Sequence, residues 1–87
     1  MALSFPNHSR SYDAVRGRIS FWGHDGALEI PFFLELNALF RLFPRTANNE
    51  AGILAAFDAG WNRICEIAGK AYSPGRRTFY VLGEANL

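Results

Sequence analysis

Arg18-Ile19-Ser20-Phe21-Trp22-Gly23-His24-Asp25-Gly26-Ala27-Leu28-Glu29-Ile30-Pro31-Phe32-Phe33 folds back on itself around one Asp-Gly turn signal flanked by alternating hydrophobic residues. Pairing Phe21 with Ile30 sets Ile19 against Phe32 and Gly23 against Leu28, which makes one face of the predicted hairpin apolar. The other face carries Arg18, Ser20, Trp22, Glu29 and Phe33. Pro31 has no backbone N–H to donate. That favours a four-residue loop from His24 to Ala27, with the proline nitrogen turned outward and its strand at a sheet edge.

Working outward, Leu3 to Pro6 reads as a short first strand and Asn7 to Asp13 as a polar connection. Leu36, Leu39, Phe40 and Phe43 recur at helical spacing, and Pro44 stops that short helix. Asn48 or Asn49 then caps a long helix over Glu50 to Tyr72, whose apolar face runs through Ile53, Phe57, Trp61, Ile64, Ala68 and Tyr72. Asp58, Asn62, Arg63, Glu66 and Lys70 fall on its opposite side. Ser73-Pro74-Gly75 ends the helix, and Arg77 to Leu82 forms a last strand. Because that strand is apolar on both faces, it is expected at the sheet centre or under a subunit contact. The resulting fold class is α+β: a two-layer domain over residues 1–87, with an antiparallel sheet of about four strands against two helices in the order β-β-β-α-α-β.

With 87 residues, 49% of them hydrophobic, the chain can bury one core but leaves no room for a second. A formal net charge of +1 gives no global drive toward nucleic acid or an anionic membrane, so any anion preference must be local. The lone cysteine, Cys65, cannot close an internal disulfide. No basic start leads into an apolar run, and no hydrophobic span reaches transmembrane length. These features together give the expectation of a cytoplasmic protein.

Phe5-Pro6-Asn7, Ser11-Tyr12-Asp13, Phe21-Trp22-Gly23-His24-Asp25, Ala56-Phe57-Asp58 and Arg63-Ile64 resemble the pattern of small, uncharacterised bacterial proteins grouped as domain of unknown function 1488. The resemblance covers essentially the whole chain. It implies a stand-alone α+β domain with an antiparallel sheet on two helices, and it implies no activity. Gly60-Trp61-Asn62 departs from the more polar residues expected before Arg63.

Three function classes remain. Loop residues His8, His24 and Asp25 carry the lone pairs needed for metal binding or acid–base work, but their spacing matches no metal motif. Asp25-Gly26 has an ordinary reading as turn chemistry. No nucleophile elbow, phosphate loop or dinucleotide fingerprint occurs, and no cofactor is implied. Nucleic-acid binding would use arginines beside exposed aromatics: Arg10, Arg16 and Arg18 near Trp22, and Arg76-Arg77 near Phe79 and Tyr80. Protein interaction best fits the surplus of apolar groups, since Trp22, Pro31, Phe33 and half of the last strand are left for the second face of the sheet. Either the N-terminal segment with Leu3, Phe5 and Tyr12 covers that face, or a homodimer or protein partner does. The sequence therefore favours a non-enzymatic binding module, with Arg16, Arg18, Trp22 and Phe33 as contact residues.

Overall fold

The computed structural model describes residues Leu3–Leu87. The elements are β1 (Leu3–Ser4), β2 (Arg10–Asp13), β3 (Arg18–Asp25), β4 (Leu28–Glu35), α1 (Leu36–Leu42), α2 (Glu50–Ala59), α3 (Trp61–Ala71), β5 (Tyr80–Leu82) and a 3₁₀ turn at Glu84–Asn86. The sheet runs β1-β3-β4-β5, with β2 also paired to β3. The α+β class stands.

The hairpin keeps its expected faces but slides by two residues. Asp25 pairs with Leu28, Gly23 with Ile30, Phe21 with Phe32 and Ile19 with Leu34. The connection is a two-residue turn in which Gly26 adopts φ 63° and Ala27 keeps a negative φ, the II′ pattern that suits the twist of a hairpin. A shift of two preserves side-chain parity, which explains why alternation alone did not separate the two registers. Pro31 again lies at a non-hydrogen-bonded pair, opposite Trp22.

Four further expectations change. Arg10–Asp13, expected as connection, pairs with Arg18–Phe21 as β2. β4 is an inner strand, because β5 pairs with its second half beyond Pro31. β5 is shorter than Arg77 to Leu82 and is an edge strand rather than a central one. It also runs parallel to β4, so the sheet is mixed rather than wholly antiparallel. A single long-range contact explains the direction: Tyr72, just past α3, donates its hydroxyl to Asp25 Oδ2 at 2.5 Å. The chain thus leaves the helices beside the hairpin tip, where β4 begins, and β5 must set out in the same direction.

The long helix is two helices, giving three α-helices among the described residues. Asn49 Oδ1 caps α2 by accepting from the Gly52 N–H at 2.8 Å, as one of the two expected caps. Gly60, at φ −95° and ψ 14°, then ends α2 and begins α3. A side chain there would press into the Phe43 ring, with Cε2 only 2.5 Å from a built Cβ. The interruption leaves the apolar stripe intact: Ile53, Phe57, Ile64, Ala68 and Tyr72 are all buried. They meet Ile19, Phe21, Ile30, Phe32, Leu34, Tyr80 and Leu82 from the inner sheet face.

Aromatic contacts hold the two layers together. Phe21 stacks on Phe32 at 5.4 Å and meets Phe57 edge-on at 5.3 Å. Phe5 lies within 5.9 Å of Phe21, Phe32 and Trp61. Gly23 makes room for it, since a Cβ there would come within 2.9 Å of the Phe5 ring. Trp61 therefore belongs to this cluster, which accounts for the apolar departure at Gly60-Trp61.

Two consequences are measurable. Gly60→Ala should lower stability by about 1–3 kcal/mol through overpacking, despite the roughly 1 kcal/mol of helix propensity that alanine carries; denaturant unfolding reads the sign. The bond to Asp25 pushes the Tyr72 phenol from 10.0 up to about 12. A raised folded pKa means that the protonated phenol stabilises the fold, fully below pH 10 and progressively less as pH rises through 12. Wild type should therefore lose stability more steeply than Tyr72→Phe across that window, as read by thermal melting at stepped pH.

Candidate functional site: the open face of the sheet

Alternation along β3 and β4 sends Arg18, Ser20, Trp22, His24, Glu29, Pro31, Phe33 and Glu35 away from the helices. Val81 of β5 joins them opposite Phe33, and Phe79 precedes it. Val81 is 42% exposed and Phe79 50%. Among the described residues, the N-terminal segment from Leu3 onward does not cover this face. Leu3, Phe5 and Tyr12 pack instead against the core. The expectation of an internal cover is thus overturned: Phe5 is drawn into the aromatic cluster on the helical side.

The centre of the face is a small stack. The Arg18 guanidinium carbon sits 4.0 Å from the centroid of the Phe33 ring, a cation–π geometry. Phe79 meets the same ring edge-on at 5.8 Å. Ser20 opposes Phe33 and Trp22 opposes Pro31 across the hairpin. Arg18 Nε is shielded from solvent and has no hydrogen-bond partner among the described residues. The structure therefore brings Arg18, Trp22 and Phe33 onto one surface.

Arg16 is not part of that stack. It lies in the β2–β3 turn, where its Nη1 donates to Asp13 Oδ2 at 3.2 Å. Asp13 Oδ1 also accepts from the N–H groups of Val15 and Arg16, each at 3.0 Å. These bonds, the Arg16 N–H first, hold the Asp13 carboxyl below its ordinary pKa. Arg10 is likewise engaged, through a bidentate pair to Asp58 at 2.9 and 2.8 Å. Sequence offered no signal for that partner, which lies 48 residues away.

The polar residues singled out for chemistry are dispersed. The His8 ring lies tilted against Trp61, 4.6 Å between centroids, at the start of α3, whereas Asp25 meets Tyr72 beyond its end. Those ends lie about 16 Å apart at 1.5 Å per residue. His24 is adjacent to Asp25 but faces the opposite way, with Nε2 at 3.9 Å from Glu29 Oε2. Asp25 bonds to a distant tyrosine rather than to the turn backbone. No group of three potential metal ligands occurs among the described residues. Burial pushes the Cys65 thiol from 9.0 to about 11, so it is protonated at neutral pH.

The geometry defines a small α+β module with helices on one sheet face and an open aromatic face on the other. Residues 3–82 match the model of the family described as "Protein of unknown function (DUF1488)", and the chain belongs to that family. Neither a curated protein nor a solved structure matches it. Among the described residues, no helix is long and apolar enough to cross a membrane.

The Arg18–Phe33 contact should give a coupling of about 0.5–1 kcal/mol in a double-mutant cycle of Arg18→Met and Phe33→Leu. Additive losses of stability would show that the pair carries no coupling.

Proposed function

We propose that this chain is a non-enzymatic protein-interaction module, a single domain working in the bacterial cytoplasm, whose contact surface is the open sheet face. One observation carries the reading: Trp22, Pro31, Phe33, Phe79 and Val81 line a face that the chain's own N-terminal segment leaves uncovered, because Leu3, Phe5 and Tyr12 pack on the opposite side. Contiguous apolar area of this kind, with Arg18 on Phe33 at its centre and His24, Glu29 and Glu35 at its ends, fits a protein surface with a polar rim. A second copy is the first occupant to test. The face holds both signs of charge, so it can be self-complementary about a twofold axis.

Other readings have weaker support. Arg10 and Arg16 are paired with Asp58 and Asp13, and the Arg18 guanidinium already occupies one face of the Phe33 ring, where a base would stack. The dispersal of His8, His24 and Asp25 weighs against an acid–base or metal site built from them.

Phe33→Asp should leave the far-ultraviolet circular dichroism unchanged and abolish self-association, or capture of a specific protein after nuclease treatment. Sedimentation of a monomeric parent, together with salt-sensitive oligonucleotide binding that Arg16→Glu with Arg18→Glu removes, would replace this reading with nucleic-acid binding.

A further inference from the structure

We propose a second site: the free edge of β4 at Leu28–Ile30, with Arg76 and Arg77, forms a docking slot for a short, extended, acidic peptide that adds beside β4. β5 pairs with β4 only from Phe32 onward, through Phe32↔Tyr80. Upstream of that point the chain between Ser73 and Phe79 diverges from the sheet and leaves a groove of about 780 Å³. Leu28, Ile30, Tyr72 and Phe79 supply its apolar surface, and Arg76 and Arg77 line it as well.

Two features select the occupant. In the β3–β4 register, Leu28 and Ile30 take the positions hydrogen-bonded to β3, so Glu29 turns its backbone N–H and C=O outward into the groove. An outward donor and acceptor at strand spacing match the backbone of an extended peptide, as in recognition by strand addition. A compact anion would satisfy only the donor. Charge sets the second criterion. Arg76 and Arg77 form no ion pair among the described residues, although five other basic side chains, Arg10, Arg16, His24, Arg41 and Arg63, are paired. Two unpaired guanidinium groups beside an open backbone edge complement carboxylates on the incoming segment. Pro31 limits the length of the added strand, because it offers no N–H beyond Glu29.

The slot borders the open face and shares Glu29, Phe79 and Val81 with it, but Arg76 and Arg77 belong to the slot alone and give it a separate sensitivity. Its test uses fluorescence anisotropy of a short labelled peptide alternating Val with Asp, a counterpart with Asn for Asp, and a labelled single-stranded oligonucleotide. The acidic peptide should bind, and Arg76→Glu with Arg77→Glu should weaken it at least about tenfold. Glu29→Pro removes the outward N–H without taking a bond from the hairpin, so it should abolish binding. Glu29→Gln, which removes a negative charge from the groove, should bind at least as well as wild type. Arg76→Glu with Arg77→Glu, whose side chains are not part of the open face, should keep the parent's mass in solution, which separates loss of this slot from loss of the open-face contact. Equal binding of the Asn peptide, full binding by Glu29→Pro, no binding of the acidic peptide by wild type, or preference for the oligonucleotide would each overturn the proposal.

Discussion

The contact between Phe21 and Phe32, stacked at 5.4 Å across the central hairpin, is the point on which the other elements converge. Phe57 from α2, Trp61 from α3, Phe5 from the N-terminal segment and Tyr80 from β5 all touch one ring or the other. Burying one such side chain contributes about 1.5–3 kcal/mol, and aromatic pair geometry adds about 0.5–1.5 kcal/mol. The solvent-exposed pair between Arg10 and Asp58 contributes about 0–1 kcal/mol even with good geometry. Aromatic packing therefore decides where the strands and helices sit, and the ion pairs only trim the margin.

That concentration of aromatics on one side has a direct effect on the other. A two-layer domain of this size has one interior, and the inner face recruits Phe5, Tyr12 and Trp61 from outside the hairpin. Among the described residues, no comparable segment is left to cover Trp22, Phe33, Phe79 and Val81. The open face is thus a by-product of how the core is filled. Its chemistry is cationic and aromatic at the centre, through Arg18 on Phe33, and polar at the ends. The notch beside β4 has a separate origin: β5 is three residues long and begins only after Pro31. Contact surface and notch come from two distinct shortfalls of secondary structure.

Much of the candidate site was legible. Period-two alternation in residues 18–33 separated Arg18, Trp22 and Phe33 from the buried set, because parity survives a two-residue slip of register. The apolar stripe from Ile53 to Tyr72 was visible for a similar reason, since the break at Gly60 did not rotate it out of phase. Membership of the family was also legible, from motifs spread between Phe5 and Ile64. Arg16 lies apart from the Arg18–Phe33 stack because Asp13, three residues away, holds it in the turn, a partner that charge and proximity in sequence do not reveal.

By itself, then, the sequence determined the elements whose cause is local: the alternating hairpin, the glycine turn, the Asn49 cap, the amphipathic helical face, and so the α+β class. Tertiary structure alone decided the register of the hairpin, the pairing of Arg10–Asp13 as a strand, the division of the helix at Gly60, and the parallel direction of β5. Each depends on a contact between residues distant in sequence. Phe43 against Gly60, Phe5 over Gly23 and Tyr72 on Asp25 are matters of shape and reach in three dimensions, which no periodicity along the chain encodes.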